Sequence, residues 1–144
     1  MPEKHWVMVA NASQARLLER ASFAEPLVDL THWRHPESRM HASETERAPL
    51  GHSEAGRAGL APRSDLKQQH RSVFAKTLAK YFHEAVVNHR VNALALFVSN
   101  PFMGELMSHL DAHVQDVIVV KHVLDLTSLS LTELDKRLRS EFRL

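Results

Sequence analysis

The chain has 144 residues, a length at which one domain can bury about two thirds of the surface that its unfolded chain exposes. Its 18 Lys and Arg residues nearly balance 17 Asp and Glu residues, which excludes a globally basic nucleic-acid binder but leaves local basic patches open. Its lack of cysteine excludes disulfides, thiolate zinc sites and cysteine nucleophiles. The N-terminal apolar run is too short for a signal-peptide core, so we expect one cytoplasmic domain over residues 1–144 without membrane insertion.

Three strands are predicted before the middle of the chain. WVMVA at 6–10 is a continuous apolar run, and ARLLE at 15–19 follows a turn-forming stretch as its antiparallel hairpin partner. In LVDLTHW after Pro26, Val28 and Leu30 alternate with polar residues, which is typical of a half-buried third strand. We expect the 6–10 strand to lie at the centre of the sheet.

A long helix and a second apolar strand are predicted next. Phe74, Leu78 and Phe82 recur every four residues after Ser64, a favourable N-cap residue, and predict an amphipathic helix that ends near Asn88. ALALFV at 93–98 is then an apolar strand.

The last third of the chain predicts two more helices and one strand. Asn100 and Pro101 favour the cap and first residue of a helix that runs to about His113. VIVV at 117–120 predicts a buried strand parallel to the one before. The segment SLTE at 130–133 matches a capping box and opens a final helix.

The order β-β-β-α-β-α-β-α combines an antiparallel meander with two right-handed crossovers. It predicts an α/β fold with a mixed five-stranded sheet in the ribonuclease H-like arrangement and helices on its faces. A long loop at about 34–64 separates the third strand from the first helix. Structureless loops beyond about 12 to 15 residues are commonly functional or disordered. We therefore expect this loop to be mobile, cut preferentially between Arg39 and Arg63, and important for function.

Several blocks together resemble the bacterial host attachment protein family: WVMVANASQARLLE, HPESRMH, FAKTLAKYF, NPFMGELMSHL and DLTSLSLTEL. That family is similar to the middle domain of archaeal and eukaryotic class-1 translation release factors, which has a comparable sheet interrupted by a long glycine-containing loop. In those factors a Gly-Gly-Gln at the loop tip places a water on the peptidyl-tRNA ester. The corresponding stretch here is GHSEAGRAG at 51–59, and the chain has no Gly-Gly-Gln, so the resemblance does not imply peptide release.

The catalytic motifs in the sequence are incomplete. Enzymatic activity is therefore left open, leaning against it, and no cofactor, metal or catalytic residue is predicted. The first strand lacks the carboxylate that two-metal ribonuclease H chemistry needs, and Val87 stands where H-E-x-x-H would need a second histidine after His83. Ser53 lies in a stretch whose second glycine comes one residue late for a nucleophile elbow. His109 and His113 have a spacing that can chelate a metal, but polar residues near a helix C-terminus are the simpler interpretation.

Two sets of residues are candidates for binding. The arginine-rich loop suits phosphate recognition, because the guanidinium is a planar fork and glycines allow close backbone approach, although four glutamates nearly cancel five arginines between residues 34 and 63. The RNA or partner-binding candidates are Arg34, His35, Arg39, His52, Gly56, Arg57, Gly59 and Arg63. A possible ligand site at the carboxyl edge of the sheet comprises Asn11, Ser13, Asn100, Pro101 and Gly104.

The leading hypothesis is a non-catalytic, release-factor-like accessory module that binds RNA or a ribosomal particle through residues 34–71. One alternative is a protein-interaction module whose loop folds on a partner and affects host-cell attachment. The other is a hydrolase that uses Ser53 or a histidine of the loop.

Overall fold

A computed structural model describes residues 4–35 and 63–144, with only the backbone of Arg63 and Ser64. The strands are β1 His5–Ala10, β2 Gln14–Arg20, β3 Val28–Arg34, β4 Ala93–Val98 and β5 Ile118–His122. The helices are α1 Arg63–Val87, α2 Phe102–His109, α3 Ala112–Val117 and α4 Leu131–Arg137, which continues into a π-helical segment at Leu138–Phe142. The expected mobility of the loop and its cleavage between Arg39 and Arg63 concern residues outside this description.

The sheet has five strands in the order β3-β2-β1-β4-β5. β1 pairs antiparallel with β2 and parallel with β4, and β4 pairs parallel with β5. The predicted fold class, the strand order and the central position of β1 are therefore confirmed. β1 buries every residue from Trp6 to Ala10 because elements pack on both faces of the sheet.

The two faces of the sheet carry separate apolar cores. Helices α1, α2 and α3 cover one face, where the predicted stripe of Phe74, Leu78 and Phe82 is buried against β1 and β4. α4 covers the opposite face and buries Leu134 and Leu138 against Val9 and its neighbours. The capping box at the start of α4 is confirmed. The Ser130 side chain accepts from the Glu133 backbone amide, and the Glu133 side chain accepts from the Ser130 backbone amide.

Both edge strands are more exposed than the sequence predicts. Val28 is 50% and Leu30 is 40% exposed, whereas Thr31 and Trp33 are partly buried, so the expected inward phase of β3 is wrong. A bulge in the pairing of β2 with β3 changes the register, and Trp33 packs edge-on against Tyr81 of α1 at 4.9 Å between ring centroids. The expected buried strand at 117–120 begins one residue later, and Val119 is 61% exposed because β5 lies at the edge of the sheet.

The predicted helix to His113 is in fact two helices. α2 ends at His109, Leu110 is extended and buried, and the Asp111 side chain accepts from the Val114 amide at 2.9 Å to cap α3. Burial of Leu110 and this cap replace a continuous helix, so the expected one-turn spacing of His109 and His113 on a single helix does not form.

Two predicted helix starts also differ in detail. Pro101, joined to Asn100 by a cis peptide bond, occupies the N-cap position of α2 without a side-chain cap, so the assignment of Asn100 as cap and Pro101 as first helical residue is wrong. α1 begins at Arg63, which places Ser64 inside its first turn and not at the cap.

One buried arginine joins the sheet to α4. Arg20 is 4% exposed, and its guanidinium donates to Asp135 Oδ1 at 2.6 Å and to the Glu25 carbonyl at 2.7 Å. Asp135 also accepts from Arg139 Nε at 2.8 Å, and Arg139 donates in turn to the carbonyls of Phe23 and Glu25. This network fixes the β2–β3 connection against the C-terminal helix.

We expect Asp135→Ala to destabilise the protein by about 2–3 kcal/mol at pH 7, because it leaves the buried Arg20 charge without its carboxylate. Burial raises the pKa of Asp135, but the hydrogen bonds and charges of Arg20 and Arg139 lower it by more. The pKa of Asp135 therefore lies below its reference value of 3.8. The carboxylate therefore contributes stability above about pH 4, and this contribution is lost as pH falls through the lower folded pKa.

Urea denaturation of the wild type and the variant at several pH values measures this difference. Glu141→Ala is the matched control, because it removes an exposed carboxylate paired with Arg137 and should change stability by less than about 1 kcal/mol. Equal stability of the wild type and Asp135→Ala at pH 7 would contradict the structural role of the network.

Candidate functional site

The segment 36–62 is joined to the described structure by His35 at one end and by α1 at the other. The His35 backbone amide donates to the Ser13 carbonyl at 2.8 Å, which extends the β2–β3 pairing by one bond. The His35 ring stacks on Phe74 with centroids 5.0 Å apart and planes 12° apart. His35 is therefore held against α1 at His70 and Phe74. At a rise of 1.5 Å per residue, this contact lies about 10 to 16 Å along α1 from Arg63, the first residue of the helix.

Aromatic packing extends this anchor to α2. Phe74 stacks on Phe102, the first residue of α2, with centroids 5.3 Å apart, and the His70 ring lies 6.0 Å from that of His35. We define the anchor as His35, His70, Phe74 and Phe102. It brings the end of β3, residues 70–74 of α1 and the start of α2 to the same edge of the sheet.

Polar and basic residues flank the anchor in sequence. Arg34 and Lys67 are exposed. Arg71 is partly buried, and its Nη2 donates to Gln68 Oε1 at 2.5 Å, while Gln68 Nε2 donates to Glu105 of α2. Arg34, directly before His35, and Lys67, one turn before His70, are therefore solvated cations close in sequence to the anchor, and Arg71 is held by the link from α1 to α2.

Only part of the predicted loop site lies in this description. Arg34 is exposed as a binding residue should be, whereas His35 is 9% exposed and packs within the anchor. Arg63 begins α1, with only its backbone described. Arg39, His52, Gly56, Arg57 and Gly59 lie outside the described residues, as does Ser53.

Two of the predicted sheet-edge residues, Asn11 and Ser13, form hydrogen bonds within the fold. Asn11 Oδ1 accepts from the amides of Ser13 and Gln14 at 2.8 and 3.0 Å, and its Nδ2 donates to Asp125 Oδ2 at 3.0 Å and Thr127 Oγ1 at 3.1 Å. Asn11 thus closes the β1–β2 turn and ties it to the connection after β5. Ser13 reaches the anchor through its carbonyl and not through its hydroxyl.

The other members of that set lie on the α2 side of the same edge. Pro101 and Asn100 are exposed, and the Ser99 amide beside them donates to the Ala10 carbonyl at 3.2 Å. A Cβ added to Gly104 would meet no described atom within 4 Å, so this glycine does not mark a close approach of α2 to another described element.

Asp125 and Thr127 also belong to the Asn11 network, a role that the sequence did not predict. Burial raises the pKa of Asp125, but hydrogen bonds from Thr127 and Asn11 outweigh this effect and lower its pKa. Its Oδ1 accepts from the Thr127 amide at 2.9 Å and from the Thr127 hydroxyl at 2.6 Å. The D-x-T spacing is the one local signal that favours such a turn, since Asp side chains bond to the backbone two residues on.

Candidate catalytic and metal-binding groups can be tested against this geometry. Within residues 4–35 and 63–144, no three His, Asp or Glu side chains form a group suited to a metal ion. Ser72 Oγ lies 3.3 Å from His109 Nε2, and Glu105 Oε2 lies 2.9 Å from the same nitrogen. A nucleophile triad needs the two partners on different ring nitrogens, so these three residues do not form one.

The fold defines a ribonuclease H-like α/β domain in which residues 36–62 connect β3 to α1. Residues 6–138 match the family described as protein required for attachment to host cells, and the chain belongs to this family. Comparison with curated proteins gives no match. Among the described residues, no helix has the length and apolarity required to cross a bilayer.

We expect Asn11→Ala to lower stability by about 1–2 kcal/mol, because it removes two bonds to the turn and leaves Asp125 with fewer donors. Ser13→Ala is the matched control and should leave stability nearly unchanged, since the anchor uses the backbone of Ser13. Thermal unfolding measures both effects. A ligand site that depends on the Asn11 amide would instead give a variant of normal stability with impaired binding.

Proposed function

We propose that this host attachment family protein is a non-catalytic module that binds single-stranded RNA, free or in a ribosomal particle, through residues 34–71. The observation that carries the proposal is the anchor, which holds His35, near the start of residues 34–71, against α1, the helix in which they end. RNA contacts made by the segment would then lie beside the exposed Arg34 and Lys67.

The composition of the segment supports phosphate contacts. Residues 34–71 include six arginines and one lysine: Arg34, Arg39, Arg47, Arg57, Arg63, Arg71 and Lys67. Arginine binds phosphate oxygens through two parallel N–H groups, and such contacts supply much of the affinity of proteins for nucleic acid. The glutamates of the segment would reduce nonspecific attraction, so the module would need local complementarity as well as charge.

A role in attachment to host cells would be indirect under this proposal. The family description concerns attachment, whereas the residues 34–71 offer chemistry suited to a polyanion. RNA binding and attachment would be connected if the module controlled the synthesis of other proteins through RNA. The similarity to the middle domain of class-1 release factors would then extend to RNA docking but not to peptide release, because Gly-Gly-Gln is missing.

A protein-interaction module is the second candidate, and the exposed edge strand β3 favours it. Val28 and Leu30 are exposed on a strand that has a pairing partner on one side only, β2, among the described strands. Such an edge can accept an added strand from a partner, with backbone hydrogen bonds for affinity and apolar side chains for specificity.

We expect the triple variant Arg39→Gln/Arg57→Gln/Arg63→Gln to bind single-stranded RNA more weakly, with its salt slope reduced by about 0.7 per lost phosphate contact. Fluorescence anisotropy at several salt concentrations measures both quantities. The melting temperature should change little, because apolar residues of the described strands and helices build the two apolar cores. The triple variant Lys4→Gln/Lys121→Gln/Lys136→Gln removes three exposed charges elsewhere and is the matched control.

A folded arginine variant with unchanged RNA affinity and salt slope would contradict the proposal and favour the protein-interaction module. Ser53→Ala should leave RNA binding unchanged. In the hydrolase alternative it would instead abolish activity, because a nucleophile is indispensable there.

A further inference from the structure

A polar groove of about 350 Å³ lies between α1 and the junction of α2 with α3. Its lining residues are Lys76, Ala79, Lys80, His83, His109 and Asp111. Lys76, Lys80 and His83 are spaced by four and three residues, so they share one face of α1. The groove consists of described residues only and does not depend on the proposed function.

The break between α2 and α3 forms the opposite wall of the groove. Because α2 ends at His109 and the chain is extended at Leu110, the cap residue Asp111 lies across from α1. There Asp111 Oδ2 accepts from His83 Nδ1, while Oδ1 accepts from the Val114 amide at 2.9 Å. A continuous helix through this region would not provide the cap.

The His83–Asp111 pair fixes which imidazole nitrogen remains for a ligand. The pKa of Asp111 is lowered, first by the bond from the Val114 amide and then, against a desolvation effect, by His83 and His113. An ionised carboxylate only accepts, so the His83 Nδ1 must carry the proton in this bond. The Nε2 atom is then the nitrogen that faces a ligand, and it donates to a phosphate oxygen in the imidazolium form, in which both ring nitrogens carry a proton.

The charges around the groove are unbalanced in favour of cations. Among the described residues, neither Lys76 nor Lys80 forms an ion pair with a carboxylate. Asp111 is engaged by His83 and by α3. Glu105 is engaged by His109 at 2.9 Å and by Gln68. Two ammonium groups therefore lie beside a groove whose lining carboxylate, Asp111, already has donors, as does Glu105 next to His109.

We propose that this groove binds a phosphate group through Lys76, Lys80 and His83. A phosphate dianion matches two ammonium charges and offers several oxygens, whereas a carboxylate offers one charge and a metal cation would be repelled by the lysines. Ala79 is 9% exposed and its small side chain leaves room between the lysines. The phosphate could come from an RNA backbone or from a small phosphate ester, since both present the same oxygens.

The test is an NMR titration of the full chain with inorganic phosphate, compared with sodium chloride at equal ionic strength. We expect saturable amide shifts between residues 76 and 83 and at Asp111 with phosphate only. Lys76→Gln/Lys80→Gln should weaken phosphate binding by at least about tenfold, because each charge-assisted contact contributes on the order of one factor of ten. Lys136→Gln, an exposed lysine on α4, is the matched control and should change nothing.

Shifts that do not saturate, that chloride reproduces, or that persist unchanged in the double-lysine variant would overturn the proposal. Both lysines are exposed, so the variant should keep the wild-type melting temperature. His83→Gln gives an independent check: it should also weaken phosphate binding, and unchanged binding would remove His83 from the site.

Two further ligands distinguish the source of the phosphate. Weaker binding of a ten-nucleotide single-stranded RNA to the double-lysine variant would identify a backbone phosphate. Tight binding of a nucleoside monophosphate, with RNA affinity unaffected by the variant, would identify a small ester. RNA binding without saturable phosphate shifts would overturn the phosphate site in the groove and leave the proposed RNA function standing. Saturable phosphate shifts without RNA binding would overturn the proposed RNA function and leave the phosphate site standing.

Discussion

The pairing of β1 on both sides is the constraint on which the rest of the structure depends. β1 is antiparallel to β2 and parallel to β4, and its five consecutive buried residues contribute to the apolar cores on both faces of the sheet. The carboxyl ends of β1 and β4 therefore lie together, where Ser99 donates to the Ala10 carbonyl and Leu124 donates to the Val98 carbonyl. The Asn11 network and the anchor are both built on this edge, so they depend on the register of β1.

Helix α1 connects the two binding regions. Its N-terminal half carries His70 and Phe74 of the anchor, and its C-terminal half carries the lysines of the polar groove. Lys80 follows Arg71 by nine residues, a distance of about 13.5 Å along the helix. Because the apolar stripe of α1 is buried against the sheet, its rotation is fixed, and so is the direction in which each polar face points.

The sequence predicts the elements with strong periodicity and misses those decided by tertiary contacts. The stripe of α1, the limits of β4 and the cap at Ser130 agree with the structure because local propensity and burial favour the same state. The inward phase of β3 was wrong because a bulge changes its register, which no alternation pattern reveals. The end of α2 was wrong because burial of Leu110 and the Asp111 cap outweigh helix continuation.

The candidate site divides in the same way. Charge composition points to the arginine-rich segment, but the packing of His35 on Phe74 needs two elements that lie far apart in sequence to meet. The groove was also not predicted, because the facing positions of His83 and Asp111 follow from the break between α2 and α3. Spacing along one helix could identify the two lysines but not the carboxylate across from them.

Hydrogen–deuterium exchange of the full chain with and without single-stranded RNA tests the RNA-binding account most directly. The account predicts slower exchange in peptides that cover residues 34–71 when RNA is added, including the amides next to Arg34 and Lys67. Peptides from α4 should be unaffected, since that helix lies on the opposite face of the sheet. Unchanged exchange across residues 34–71 at RNA concentrations up to the millimolar range would contradict it.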